Sequence, residues 1–90
     1  MPSIAELKIY LGIDGNLLDS LLADFLNTAT DIVEKILRYP IAKLTPIPGS
    51  VKDALKHAVG HLYAHRENAD IPQLEKMLVA LLEPLRKKEF

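Results

Sequence analysis

The clearest periodic pattern in the sequence lies between residues 17 and 37. Apolar side chains recur there at the three- and four-residue spacing of an α-helix, and polar side chains occupy the opposite face. The apolar positions are 17, 18, 21, 22, 25, 26, 29, 32, 33, 36 and 37. Tyr39-Pro40 ends the pattern, because proline disfavours a helical conformation in the residue before it and has no N–H to donate. We therefore predict one long amphipathic helix from Leu17 to near Tyr39.

A shorter helix is predicted before the long one. Ser3 and Glu6 have the spacing of a capping box, in which the serine oxygen accepts a helix-terminal N–H and the glutamate reaches back to the serine amide. A helix over about residues 4–11 follows from this pattern. The segment GIDGN at 12–16 then interrupts the helix, because glycine favours backbone angles that a helix does not use. We expect Asn16 to cap the long helix.

Two further helices are predicted in the C-terminal half of the chain. Residues 40–50 (PIAKLTPIPGS) contain three of the six prolines and are expected to form an extended connection. Ser50, with an acidic residue three positions later, then gives a cap pattern for a third helix over about residues 51–67. Asp70 is expected to cap a fourth helix over about residues 72–87.

These elements indicate an all-α fold, which we interpret as a single small domain of about four helices spanning residues 1–90. No strand-like alternation or internal repeat competes with this interpretation. One side of the predicted core comes from the long helix, and the other side comes from the third and fourth helices. The expected core residues are Leu18, Leu21, Leu22, Phe25, Leu26, Ala29, Ile32, Val33, Ile36, Leu55, Val59, Leu62, Met77, Leu78, Leu81 and Leu82.

The composition is that of an ordinary globular domain, with 49% hydrophobic and 26% charged residues. The chain has no cysteine, which excludes disulfides and thiolate zinc sites and is compatible with a reducing cytoplasm. The N-terminal segment lacks the basic and apolar regions of a secretory signal, and no apolar run approaches the roughly 18 residues of a membrane span. We therefore expect a soluble protein that is made inside a cell and makes no membrane contact.

The formal net charge of −1 hides an uneven distribution along the chain. Residues 1–34 carry six acids and one lysine, a net charge of −5, whereas residues 35–66 carry six bases and one aspartate, a net charge of +5. Two opposed segments allow one surface to pair with a different surface on a neighbouring copy, and such heterologous contacts close into a ring when the rotation permits. The candidate interface residues are Asp24, Asp31, Glu34, Arg38, Lys52, Lys56 and Arg66.

His57, His61 and His65 recur every four residues on the third helix and raise the question of a metal site. The first and last lie about 12 Å apart along the helix axis, so at most one i,i+4 pair can share an ion. The H-E-x-x-H pattern of metalloproteases also needs a glutamate between its histidines, which this helix lacks. We therefore expect no metal and interpret the rings as half-buried residues that flank the apolar face. A structural metal on one pair is the alternative.

Catalytic chemistry has little support in the sequence. No cysteine nucleophile is present, and the three serines lie at cap or helix positions without a neighbouring base. No phosphate-binding glycine loop occurs, so we expect no catalytic residue, no enzyme activity and no cofactor. Arg86, Lys87 and Lys88 are suited to phosphate contact, but basic residues in a last helical turn also interact favourably with the helix dipole.

Three short segments occur in a fixed order along the chain. They are LKIYLGID at 7–14, HLYAHRE at 61–67 and LLEPLR at 81–86. In this order they resemble the small head-tail connector proteins of tailed bacteriophages and prophages, which are often labelled as DNA-packaging proteins. The likeness spans nearly the whole chain. Gly12 departs from the pattern, because a larger and often basic residue is expected there.

The resemblance implies an all-α adaptor that forms a homo-oligomeric ring beneath the portal protein, joins it to the next neck or tail protein and helps to retain packaged DNA. It implies a place at the head-tail junction of the virion, after synthesis in the cytoplasm of the host bacterium. It implies no catalytic residue. The alternative is a small helical DNA-binding or DNA-packaging accessory protein, with Lys87 and Lys88 as the contacts to DNA.

Overall fold

The structure is a computed structural model, and it describes residues 2–44 and 47–85. Over these residues it contains four α-helices and no strand, which confirms the predicted all-α fold. The helices are α1 (Ile4–Leu11), α2 (Asp19–Leu37), α3 (Gly49–Ala64) and α4 (Ile71–Leu82). Two short 3-10 turns, Ile41–Lys43 and Glu83–Leu85, follow α2 and α4 respectively.

Local cap signals explain where α1 and α4 begin. Ser3 Oγ accepts the Glu6 N–H at 3.1 Å, and the Ser3 N–H donates to Glu6 Oε1 at 3.3 Å, which confirms the capping box. Asp70 Oδ1 accepts the Gln73 N–H at 3.0 Å, as predicted for α4. Gly12 ends α1 with a φ of 70°, a left-handed conformation that glycine adopts without steric cost.

Two other cap predictions were wrong. Asn16 does not cap α2, which begins at Asp19 without a side-chain cap, because the Asn16 amide oxygen instead accepts a hydrogen bond from Lys8. Ser50 does not cap α3. The carbonyl of Pro48 accepts the N–H groups of residues 51 and 52, so the helix begins at Gly49 and Ser50 lies inside its first turn.

The C-terminal ends of two helices also come earlier than predicted. The third helix stops at Ala64 rather than near residue 67. The fourth stops at Leu82, because Pro84 has no N–H to continue the hydrogen-bonding ladder, and the chain tightens into a 3-10 turn. The remainder of the predicted helix, from residue 86 onward, lies outside the described residues.

The core lies between α2 and α3, with α1 and α4 each packed against both of them. Ten predicted core residues are buried, while Leu18, Leu21, Phe25 and Leu26 are partly buried. The ten are Leu22, Ala29, Ile32, Val33, Ile36, Leu55, Val59, Leu62, Leu78 and Leu82. Seven further apolar side chains are buried that were not predicted, namely Leu7, Leu37, Ile41, Val51, Ala54, Ala58 and Leu74.

The prediction of Met77 and Leu81 as core residues was wrong. Their side chains are 39% and 48% exposed, although both belong to an apolar helix. The reason is the position of α4 beside the α2–α3 pair. Its fully buried residues, Leu74, Leu78 and Leu82, form one stripe at four-residue spacing, and Ile71 and Val79 are also partly buried against the core. Met77 and Leu81 lie at the other edge of the stripe, where the helices in the described part of the chain leave them partly exposed.

Lys8 holds the connection between α1 and α2. Its ammonium group lies 3.0 Å from the Gly15 carbonyl oxygen, 3.0 Å from Asn16 Oδ1 and 3.0 Å from Asp19 Oδ1. The first two contacts are hydrogen bonds, and the contact with Asp19 is an ion pair. Residues 12–18 are thereby tied to both helices although they form no regular structure themselves.

Two hydrogen bonds hold the opposite end of α2. Glu34 Oε2 accepts the Ile41 N–H at 2.7 Å and so ties the first 3-10 turn to the helix. The Tyr39 hydroxyl donates to the Leu85 carbonyl at 2.7 Å, a contact between residues that are 46 positions apart. The C-terminal turn is therefore fixed beside the end of α2.

We predict that Leu78→Ala will lower the free energy of unfolding by about 2–5 kcal/mol, because it removes a fully buried side chain and leaves a cavity. The matched control is Leu81→Ala on the same helix, which should cost less than about 1 kcal/mol because Leu81 is half exposed. Urea denaturation followed by circular dichroism measures both. Equal losses would contradict the outward orientation of Leu81.

We predict that Lys8→Met will destabilise the fold by about 1–3 kcal/mol, because it leaves the partners of a mostly buried ammonium unpaired. Lys35→Met is the control. The Lys35 ammonium lies 3.7 Å from Glu75 Oε1, but its side chain is 76% exposed, so its loss should cost within about 0.5 kcal/mol. Amide hydrogen exchange in residues 13–18 should quicken only in the Lys8 variant; unchanged exchange would argue against Lys8 as the tie.

Candidate functional site

The most exposed large apolar side chains lie on α1, on the loop that follows it and on α4. Ile9 on α1 is 83% exposed and Leu17 in the loop is 99% exposed, and Tyr10 is about half exposed. Met77 and Leu81 form the exposed apolar part of α4. Since single exposed apolar residues are common, the notable feature is their concentration on the two helices that flank the core.

An open recess of about 550 Å³ lies beside Ile9, between α1 and the loop. Its exposed walls are about equally polar and apolar and include the lysine that ties the loop, and we call it the α1 recess. The lining residues are Ala5, Lys8, Ile9, Gly12, Ile13, Asp14 and Gly15. Because the Lys8 ammonium is fully engaged within the chain, it is not available to an anionic ligand. The apolar part of the recess, which includes Ile9 and Ile13, is therefore the part that a guest side chain can cover.

The three acidic residues predicted for the interface do not share one environment. Asp24 and Asp31 are exposed on α2. Glu34 is half-buried and its carboxylate accepts the N–H of Ile41, so it has a structural task within the chain. Asp24 and Asp31 remain predictions as interface residues, whereas the observed role of Glu34 is to hold the 3-10 turn.

The four basic residues predicted for the interface are also dispersed. Lys56 on α3 lies 4.0 Å from Glu6 and so pairs with α1 of the same chain. The Arg66 guanidinium lies over the Tyr63 ring, 4.8 Å from its centroid. Lys52 is half-buried on α3, and Arg38 is exposed at the end of α2. The sequence did not indicate that Lys56 has an internal partner, because its partner is 50 positions away.

The three histidines form a short row on α3, and the middle one, His61, has a buried ring nitrogen without a hydrogen-bond partner among the described residues. His61 is half-buried, and its ring centroid lies 4.7 Å from that of His65. Its Nε2 atom is buried and has no hydrogen-bond partner in the described parts of the chain. Burial lowers the pKa of His61 below its usual 6.5, and the neighbouring His65 lowers it further, whereas Asp70 raises it and His57 lowers it slightly.

The described residues were also compared with the sequence predictions about a metal site, a membrane span and DNA contacts. Within residues 2–44 and 47–85, no group of three or more potential ligands is arranged to hold a metal ion. Each helix in those ranges is too short or too polar to span a bilayer. Arg86, Lys87 and Lys88, the predicted phosphate contacts, lie outside the described residues.

We predict that acidification will destabilise the fold through His61. Because the folded-state pKa is lowered, the unfolded chain binds the proton more tightly, so stability is complete above about pH 6.5 and falls as the pH decreases below it. His61→Gln should flatten the decline in the urea midpoint between about pH 7.5 and about pH 5.5. His57→Gln is the control and should retain most of the decline, because His57 is the weakest influence on His61. An identical decline in both variants would contradict the assignment.

The comparison with known families gives one match. A family model described as phage gp6-like head-tail connector protein matches residues 1–81. The match includes α1, α2, α3 and nearly all of α4. No curated protein and no solved structure matches the chain significantly.

The family match confirms the resemblance seen in the ordered segments of the sequence. This is a family of structural phage proteins and not an enzyme class. Membership in it implies contact with other phage head and tail proteins and a location in the virion. The match covers far more than half of the chain. The chain therefore belongs to the phage gp6-like head-tail connector family.

Proposed function

We propose that this chain forms a homo-oligomeric ring at the head-tail junction, between the portal protein and the next neck or tail protein, and helps to retain packaged DNA there. Residues 1–90 act in this proposal as one helical connector domain without a catalytic residue or cofactor. The observation that carries it is the presence of two different apolar surfaces, on α1 and on α4, that a single copy leaves uncovered.

The placement of the two surfaces suits a ring. Asp19, the α2 partner of α1, and Lys35, the α2 partner of α4, are 16 residues apart on one helix. At 1.5 Å per residue, their attachment points are about 24 Å apart along that helix. A cyclic assembly with more than two members joins two different surfaces of each subunit, whereas a two-fold dimer joins one surface to itself.

Electrostatics supports the same proposal with a smaller contribution. The opposed charges of residues 1–34 and 35–66 can attract neighbouring copies, and exposed acids such as Asp24 and Asp31 are available for this. Part of the opposition is already satisfied internally, because Lys56 pairs with Glu6. Apolar contact should therefore supply most of the affinity between copies, and long-range charge attraction should adjust it.

We predict that the purified chain, alone or mixed with portal protein, will form closed rings whose population falls as salt rises. Exposed ion pairs are screened over roughly 8–10 Å at physiological ionic strength, which weakens the electrostatic part of the contact. Sedimentation velocity at low and high salt gives the oligomer fraction, and electron microscopy shows whether rings lie on the portal. Oligomers that do not respond to salt would contradict the electrostatic part.

The DNA-binding alternative makes a different prediction for the same sample. Specific or strong DNA binding at physiological salt in a gel-shift assay, without portal binding or rings, would favour a DNA-packaging accessory protein. In that case Lys87→Gln together with Lys88→Gln should abolish the shift, because phosphate contacts of this kind depend on the positive charge. For the connector, the same double variant should leave ring formation intact.

A further inference from the structure

We propose that the α4 helix of one copy docks into the α1 recess of the next copy, with Met77 and Leu81 as the inserted side chains. This inference rests on the proposed ring and assigns the two surfaces that form its subunit contact. It commits to a second copy of this chain as the occupant of the recess.

The first support is the outward face of α4. On a helical projection, Met77 and Leu81 lie about 100° and about 60° from Leu78, so these exposed apolar side chains flank one edge of the buried stripe. The apolar arc of α4 is therefore wider than its fully buried stripe. The α2–α3 pair buries Leu74, Leu78 and Leu82 fully, but Met77 and Leu81 keep exposed apolar surface that a partner can cover.

The second support is the match between this face and the α1 recess. The recess has a volume of about 550 Å³, which is enough space for apolar side chains. The wall residue Ile9 is 83% exposed and has apolar surface left to bury. The Lys8 ammonium already contacts the loop and Asp19. Insertion of a leucine or methionine beside it would therefore not leave a buried charge without a partner.

The third support is charge complementarity at the edges of the two surfaces. Asp14 lines the recess and is exposed, and Lys76 is exposed about 100° around the helix from Met77. Neither side chain has a hydrogen-bond or ion-pair partner among the residues that the structure describes. A second copy that brings Lys76 to Asp14 therefore pairs one acid with one base and identifies this chain as its own partner.

The absence of cysteine from the chain makes a cross-linking test unambiguous. The variants are Ile9→Cys, Leu81→Cys and the double variant, each joined with a short bis-maleimide under assembly conditions. Both positions are exposed, so thermal unfolding by circular dichroism should first show unchanged folding. The double variant should give a ladder of covalent oligomers, whereas a mixture of the two single variants should stop at the covalent dimer.

The controls decide which surfaces meet. Each single variant alone should stay uncross-linked; rapid dimers of Leu81→Cys would show a two-fold α4–α4 contact and overturn the proposal. A second pair, Asn68→Cys with Leu81→Cys, places one thiol on the exposed turn after α3 and should give no ladder. A ladder from this pair as strong as that from Ile9 and Leu81 would also overturn it.

A charge exchange tests the edge contact independently. Asp14→Lys or Lys76→Glu alone should weaken self-association at low salt by about fivefold, and the double exchange should restore it. Sedimentation of the same samples tests the proposed ring separately from the proposed docking contact. Rings that form without Ile9–Leu81 cross-links overturn the docking proposal and leave the ring intact, whereas the absence of oligomers even with portal protein overturns both.

Discussion

The packing of α2 against α3 is the interaction on which the rest of the fold depends. Three alanines, Ala29, Ala54 and Ala58, are fully buried in this pair, and small side chains let helix backbones approach closely. Both flanking helices pack on this pair. Each of them therefore has one covered face and one face that is directed outward. A chain of 90 residues has no further helix in its described part with which to cover those faces.

This arrangement links stability to assembly. A small domain buries only about 60–65% of the surface of its unfolded chain, so its margin of stability is modest and every buried leucine matters. The residues that a single copy leaves exposed, such as Ile9 and Leu81, add little to that margin. In the proposed ring they contribute instead to the contact between copies, so one set of apolar residues stabilises the fold and another serves association.

Signals that act within one helical turn could be read from the sequence. The Ser3–Glu6 capping box, the Asp70 cap and the periodicity of α2 are of this kind, and the structure confirms them. The prediction that Asn16 caps α2 was wrong because its side chain bonds to Lys8, eight positions upstream. Cap patterns compare residues only three or four positions apart, so they do not reveal this contact. The prediction of Leu81 as a core residue was wrong because periodicity shows that a side chain lies on an apolar face. It does not show whether that face is covered by the same chain or by a partner.

The α1 recess could not have been predicted for the same reason. It exists because Lys8 reaches the Gly15 carbonyl and Asp19 at once, which fixes a glycine-containing loop beside the helix. One signal was present in LKIYLGID, since Ile9 lies off the face that contains Leu7 and so had no helix of its own chain to contact. The family match covers this segment but says nothing about what the outer side chain contacts.

The distribution of charge explains why apolar shape and electrostatics have separate tasks in this molecule. Lys8, Lys35 and Lys56 each pair with an acid on another helix of the same chain, but only the Lys56–Glu6 pair joins the basic segment to the acidic one. Exposed charges such as Asp14, Asp24, Asp31 and Lys76 remain for a partner. Such charges orient two partners and increase the rate at which they associate, but they add little to the affinity. In the proposed ring, affinity then comes from the exposed apolar side chains of α1 and α4, where burial of each side chain is worth about 1.5–3 kcal/mol at most.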